Sequence, residues 1–353
     1  LFNQWCFEVV VFDNCASSKR GKRSFVAVTV SLLGINRDRF FRMKHSLVIP
    51  VYKNEDSIEP LLTVLSQLTR DLNNELEIVF VVDGSPDKSQ ARLEELLPAS
   101  NIHAQLLSSS RNFGAFSAIR LGLEAATGSS IAVMSADLQE PPELVKDFFQ
   151  ALDADEADIV FGVRESRDDP WASAMASQTF WWFYRKYVEP ACPVGGVDMF
   201  AMTESFRDHI ISMREANSSL LGLLFWIGGR RKFVPYHRKA REHGKSAWTF
   251  QKKVTYLLDS IFAFTDLPVR LMIVAGALGI ALALLLGVVI ITWRMSGIGV
   301  VPGYAGTMLT ILFFGALNLF GLGVVGNYAW RGYENTKLRP LNIVAEKKKF
   351  NVE

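Results

Sequence analysis

Ile131-Ala132-Val133-Met134-Ser135-Ala136-Asp137-Leu138-Gln139-Glu140-Pro141-Pro142-Glu143 is the stretch from which the fold is read. Four apolar residues make a short strand, and a polar turn comes next. The segment from Pro141 to Gln150 then starts a helix with Pro in its first turn, where a missing N–H costs little. A strand, an acidic loop and a helix in succession form one unit of an alternating α/β sheet. In such sheets ligands sit beyond the carboxyl ends of the strands. Asp137, with the Gln139 carboxamide two residues on, offers oxygen ligands of the kind hard divalent cations take. A cation there would offset charge on a departing diphosphate. Glu140 has an alternative reading as a first-turn helix carboxylate, which the helix dipole favours.

The same pattern extends in both directions. Apolar runs at 45–51, 76–82, 101–107 and 158–163 read as strands. Helical spacing marks 57–70, 88–97 and 115–126, the first through Ile58, Leu61, Leu62, Leu65 and Leu68. The alternation predicts a mostly parallel sheet with right-handed crossovers. Asn54, Glu55, Asp83, Arg111, Asp137 and Arg164 then share the carboxyl edge. No G-x-G-x-x-G follows the first strand and no G-x-x-x-x-G-K-[ST] occurs, so dinucleotide and P-loop chemistry have no support. His45, His103, His209, His237 and His243 are scattered and read as structural or surface residues.

Several single sites stand at this edge. Asp83 ends a strand and reads as an acceptor for a base or ribose group, against a plain turn Asp. Arg111, Asn112 and Gly114 lie between a strand and a helix; Gly114 allows close backbone approach, and Arg111 suits phosphate. Arg164 and Arg167 follow a strand, and their guanidinium forks suit an acceptor phosphate. Asp198 follows a Gly pair and either orients the acceptor or caps a loop. Arg241 and Lys245 belong to a basic, Gly-centred loop fit for diphosphate or lipid phosphate. The aromatic run Phe180, Trp181, Trp182, Phe183, Tyr184 and Tyr187 is either core or a face set into a membrane surface, the second reading being preferred.

The chain has 353 residues and a net charge of only +2, which gives no bulk signal for nucleic acid. Positive charge is concentrated instead: from Arg230 to Lys253 there are nine Lys or Arg and one Glu. Three cysteines form neither a metal spacing nor a disulfide framework, in keeping with a reduced cytoplasmic setting. Residues 1–42 differ in character from the rest of the chain. A start of the cytosolic domain at Met43 is expected, with 1–42 an upstream extension from a misplaced start.

Toward the C-terminus, Trp248 to Ala263 has an apolar stripe beside Lys252 and Lys253 and reads as a helix lying in a membrane interface. Leu271–Trp293 and Thr307–Ala329 are each 23 residues without a charge, long enough to span a bilayer. Arg270, Arg331, Lys337 and Arg339 flank their outer ends, so the positive-inside rule puts both ends in the cytoplasm. Gly321 to Gly326 offers small residues for helix contact.

Val48 to Glu55, Val82 to Ser85, Ser110 to Gly114, Asp137 to Glu143, Gly244 to Ser246 and Leu338-Arg339-Pro340 together resemble family 2 glycosyltransferases of the polyprenyl-phosphate type. That group includes dolichol-phosphate mannose synthase and bacterial undecaprenyl-phosphate glycosyltransferases. The resemblance implies a GT-A domain at 43–235, a basic loop and interfacial helix at 236–268, two spans within 269–330 (271–293 and 307–329) and a basic tail at 331–353. It implies inverting transfer of a monosaccharide from a UDP- or GDP-sugar to a polyprenyl phosphate at the cytoplasmic face of the plasma membrane. The nucleotide would lie against Pro50, Tyr52, Asn54, Glu55, Asp83, Ser85 and the Arg111 loop, with Mg²⁺ or Mn²⁺ at Asp137 and Gln139. Arg164, Asp198, Arg241 and Lys245 would stand near the acceptor phosphate. Homo-oligomers are implied too, since relatives include tetramers. Three positions depart from the group's pattern: Ser135 where many relatives have Asp, Lys53-Asn54-Glu55 in place of Asn-Glu-Glu, and the His243 to Trp248 run around Lys245. Ser135 gives slight support to an inactive membrane scaffold. A polysaccharide synthase is the other alternative, though such enzymes usually carry more spans.

Overall fold

The computed structural model describes residues 43–166, 171–238, 250–296 and 303–351. Arg167, Arg241, Lys245, Trp248 and the extension 1–42 lie outside them. Strands β1 (His45–Val51), β2 (Leu76–Val82), β3 (His103–Ser109) and β4 (Ser130–Val133) alternate with helices α1 (Ile58–Asp71), α2 (Ser89–Leu96) and α3 (Ala115–Ala125). Next come α4 (Glu143–Asp153), β5 (Ile159–Ser166), α5 (Trp171–Tyr187), β6 (Val197–Thr203), α6 (Glu204–Ser212), α7 (Leu220–Trp226) and β7 (Arg231–His237). Three helices and a strand complete the chain: α8 (Phe250–Phe264), α9 (Leu267–Met295), α10 (Tyr304–Thr336) and β8 (Val344–Phe350).

All eight strands join one sheet in the order β7-β5-β6-β4-β1-β2-β3-β8. The pairs β4–β1, β1–β2, β2–β3 and β5–β7 are parallel. The inner strands are mostly apolar because helices cover both faces, with the polar residues His45, Ser46, Glu77 and Gln105 toward their amino ends. Leu47, Ile49 and Val51 pack with α1, α2 and α4 on one side, while Val48, Val79 and Val81 pack with α3, α6 and α7 on the other. The alternation of apolar strands with helices is thus borne out, with two additions. β6 inserts between β4 and β5 and runs antiparallel to both. β8 adds antiparallel to the outer edge of β3, so the segment expected as a basic tail carries a strand of the catalytic sheet. Its lysines are the side chains that edge strands use against unwanted pairing.

The aromatic run divides between the two readings. Tyr184 is fully buried and Phe180 and Trp181 pack against the core, whereas Trp182 is 57 % exposed. Tyr256 of α8 stacks on Phe116, Phe180 and Tyr184 and binds the Ser219 hydroxyl at 2.7 Å. α8 therefore rests on the sheet domain, with Val254 and Leu258 outward.

α9 and α10, of 29 and 33 residues, are long and apolar enough to cross a membrane, and their Leu, Ile, Val and Phe side chains are exposed. An apolar surface of that extent belongs in lipid, so the pair associates with a membrane. Within the pair, Gly321 faces α9: a Cβ there would lie 3.1 Å from Met272. At the foot of α10, Arg331 pairs with Asp259 at 2.6 Å and donates to the Asn217 carbonyl at 3.1 Å. The Ala216 amide donates to Asn335 at 3.0 Å. These bonds and β8 fasten the apolar pair to the sheet domain on two sides.

Candidate active site at the carboxyl ends of the strands

The first loop follows β1. Pro50 lies within that strand, opposite Val81. Tyr52 donates its amide to the Asn54 side chain at 3.1 Å, which closes the turn. Lys53 has φ 57°, and its amide donates to Ser85 Oγ at 2.8 Å. The Glu55 amide donates to Asp87 at 3.1 Å, and the Lys88 amide donates back to Glu55 at 3.1 Å. Asp87 also accepts from the hydroxyls of Ser85 (2.6 Å) and Ser89 (2.8 Å). Burial pushes its carboxyl upward, but these hydrogen bonds outweigh that and hold it below its ordinary value. Asp87 was not foreseen. It ties the loops after β1 and β2 into one unit, with Asn54, Glu55 and Ser85 as its struts.

Asp83 is buried, and its two oxygens accept the amides of Phe113 (2.9 Å) and Gly114 (2.7 Å). It therefore shapes the Arg111 loop, and lone pairs remain for a further donor. Gly84 has φ +55°, and a Cβ there would lie 2.3 Å from the Arg111 backbone. That close approach was expected at Gly114, which instead meets nothing within 4 Å and needs glycine for its φ of +98°. Arg111 is exposed and lies over the Phe113 ring at 4.2 Å.

The loop after β4 holds the acidic group. Leu138 packs against the core at φ 54°, a conformation costing roughly 1 kcal/mol for a side chain of this kind. Its neighbours Asp137 and Gln139 head a polar cluster. Ser135 Oγ donates to Asp137 at 2.7 Å and also bonds Glu140. The residue expected to thin the acidic cluster thus joins its two carboxylates. Glu140 lies before α4, not in its first turn, and is 1 % exposed. Burial, then the charges of Asp198 and Asp137, push its carboxyl up to about 7.

Beside it stand the ends of β5, β6 and β7. Arg164 pairs with Asp198, and Tyr236 Oη donates to Asp198 at 3.1 Å. Burial, reinforced by the nearby carboxylates, raises the Tyr236 pKa and keeps the phenol a donor. Arg238, which sequence reading missed, joins the two halves. Its Nη2 donates to Gln139 at 2.6 Å, and it lies 3.8 Å from both Glu140 and Asp198. Burial opposes its charge, but Asp198 and Glu140 outweigh that and raise its pKa. The Nε atoms of Arg164 and Arg238 are buried with no hydrogen-bond partner among the described residues, so both guanidinium groups keep an unspent donor. Cys192 nearby is no nucleophile, since burial pushes its thiol up to about 12.

The raised Glu140 carboxyl has a testable consequence. The folded state binds this proton more tightly than the unfolded state, where the ordinary value is 4.5. The stabilisation is complete below pH 4.5 and is lost as pH rises to about 7. The difference is on the order of 3 kcal/mol. In chelator, the stability of the wild type relative to Glu140→Gln is expected to fall by that amount through the window, as read from denaturant midpoints. A constant difference between the two would show that Glu140 has the same pKa folded and unfolded.

The donor set fits a divalent cation. Asp137 and the Gln139 carboxamide supply oxygens of the kind hard cations take. Among the described residues, no group of three or more His, Cys, Asp or Glu is set to chelate an ion alone. A ligand's own oxygens would have to complete the shell.

The pattern of glycosyl transferase family 2 matches residues 46–205, from β1 into α6. An uncharacterized glycosyltransferase of Synechocystis is 34 % identical over 303 residues, 85 % of this chain and 94 % of its own length. A prophage bactoprenol glucosyl transferase homolog of Escherichia coli is 31 % identical over 310 residues, 87 % of this chain and all of its own. A solved mannosyltransferase of Pyrobaculum calidifontis gives a TM-score of 0.46 at 17 % identity, over 82 % of this chain and 88 % of its own. Since the likeness to the first two relatives runs well beyond the matched domain, the chain belongs to glycosyl transferase family 2.

Proposed function

We propose that the protein transfers a monosaccharide from a nucleotide-diphosphate sugar to a polyprenyl phosphate at the cytoplasmic face of a membrane. The observation that carries this reading is the union of two features. A carboxylate–guanidinium cluster stands at the strand ends, and an apolar helix pair is fastened to the same domain. The bactoprenol glucosyl transferase relatives support undecaprenyl phosphate as acceptor and glucose as the sugar.

The loops after β1, β2 and β3 hold the nucleotide in this reading, with Asp83 as an acceptor and Arg111 beside the phosphates. Asp137 and Gln139 would hold Mg²⁺ or Mn²⁺, which supplies charge to offset that of the leaving diphosphate. Arg164, oriented by Asp198, stands on the acceptor side in this reading and supplies positive charge to the lipid phosphate. That phosphate is already ionised near neutral pH, with a second pKa of about 6, so no strong general base is required. Its oxygen forms the new bond to the anomeric carbon while the bond to the diphosphate breaks, and the electron pair leaves with the nucleotide. Attack from the opposite side inverts the configuration. Positioning and charge stabilisation then account for the rate. Both chain ends face the cytoplasm, and subunits associate through the open helix faces.

The test is a panel of UDP-glucose, UDP-N-acetylglucosamine and GDP-mannose against undecaprenyl phosphate in detergent with Mg²⁺ or Mn²⁺. A lipid-extractable glycosyl phosphate is expected from UDP-glucose, identified by mass. Absence of such a product from every donor sinks the proposal.

A further inference from the structure

A cavity of about 230 Å³ opens between α3, the loop after α6 and the segment that leaves α10. It shares no residue with the site at the strand ends. Arg120, Arg214 and Arg339 line it, against a single carboxylate, Glu124. Arg120 is buried; it donates to the Ile211 carbonyl at 2.6 Å and lies 3.5 Å from Glu124. Arg214 and Arg339 are exposed and form no ion pair among the described residues. Asn342 also lines the cavity. Its amide oxygen and nitrogen are both shielded and have no hydrogen-bond partner among the described residues, a condition native structures rarely leave unfilled.

The cavity lies where α10 ends. Trp330 and Tyr333 are exposed on the last turns of that helix, with Lys337 Nζ 4.9 and 4.2 Å from their rings. Exposed aromatic rings and a cation at the end of an apolar helix mark the membrane–water boundary. Leu338, which lines the cavity two residues past the end of α10, is 80 % exposed. The volume falls below the roughly 300 Å³ at which pockets for drug-sized ligands begin. It admits a phosphate-sized group and not a nucleotide. Guanidinium forks are matched to phosphate oxygens, and an anionic leaflet concentrates such groups at this depth.

We propose that this cavity binds the phosphate of an anionic lipid headgroup, on a surface separate from the transfer site. The proposal rests on the membrane association of α9 and α10 and not on the sugar-transfer reading. A phosphate free in solution carries the same chemistry, and the test separates the two sources. The full chain in nonionic detergent is melted with dihexanoyl phosphatidylglycerol, with dihexanoyl phosphatidylcholine, or with inorganic phosphate. Phosphatidylglycerol is expected to raise the midpoint by roughly 2–4 °C, phosphatidylcholine not to, and an Arg214→Gln/Arg339→Gln variant to lose most of the shift. Ser117→Glu, which adds negative charge to the cavity wall, is expected to lose it too. An equal shift from inorganic phosphate, lost in the same variants, supports the anion site and assigns it a soluble ligand. No shift, equal shifts with both lipids, or an undiminished shift in the variants overturns the proposal. Because the readout is binding, it stands or falls whether or not any sugar is transferred.

Discussion

Asp137→Asn is expected to lower sugar transfer by a factor on the order of 10²–10³, the loss typical when one fixed charge-stabilising group is removed. It should leave the melting midpoint almost unchanged. The substitution preserves shape, and an Asn oxygen can still accept the Ser135 hydroxyl that now lies 2.7 Å from the carboxylate. What disappears is the charge that would help hold the cation against the departing diphosphate in the proposed reaction. The remaining carboxylate of the loop is a poor substitute, because Glu140 carries a proton up to about pH 7. Turnover of the variant should recover little with added Mg²⁺ or Mn²⁺. Near-normal product formation at saturating cation, measured by mass, would remove Asp137 from the mechanism.

This prediction rests on a residue that was legible in the sequence, and the reason is local. A strand of β-branched and apolar residues, a polar turn and a proline-opened helix are encoded within one short stretch. The inner parallel strands announce themselves in the same way, as predominantly apolar runs. What escaped notice depends on pairing between distant segments. β6 is one such case, since nothing near Val197 says that it will slide between β4 and β5. β8 was read as a solvated tail because Glu346, Lys347, Lys348 and Lys349 make an edge strand look like one.

The site was legible in the same proportion. Asp137, Gln139, Arg164 and Asp198, chosen from separate stretches, come together through Arg238. Arg238 itself follows directly on β7, where a charge is unremarkable. The signal was available in the register: β7 runs parallel to β5 with Tyr236 opposite Arg164, so whatever ends β7 also lies beside Arg164. Ser135 was judged by the acid it replaces, whereas its hydroxyl bonds both carboxylates at once. Glu140 was obscured by the prolines after it, which suggested a helix start two residues before the one observed.

Arg164→Ala is expected to reduce kcat/KM for the lipid phosphate by roughly 10²-fold, the scale of truncating one partner of a buried charge pair. Affinity for the nucleotide should be unaffected. The separation rests on the bonds that remain. Asp198 keeps the Tyr236 hydroxyl at 3.1 Å and Arg238 at 3.8 Å, so its carboxylate is not stranded and the sheet edge should persist. The Asp137 loop is held by Ser135, and the Asp83 loop by the amides of Phe113 and Gly114, so the donor half keeps its own supports. Arg164→Lys should restore only part of the loss, since an ammonium carries the charge but not the fork that reaches Asp198 and the acceptor together. Steady-state kinetics with lipid phosphate varied at saturating donor separates acceptor use from turnover, and nucleotide titration checks the donor site. If acceptor kinetics hold while Asp198→Asn still slows transfer, the pair works in reverse. Asp198 would then touch the acceptor, and Arg164 would do no more than neutralise it.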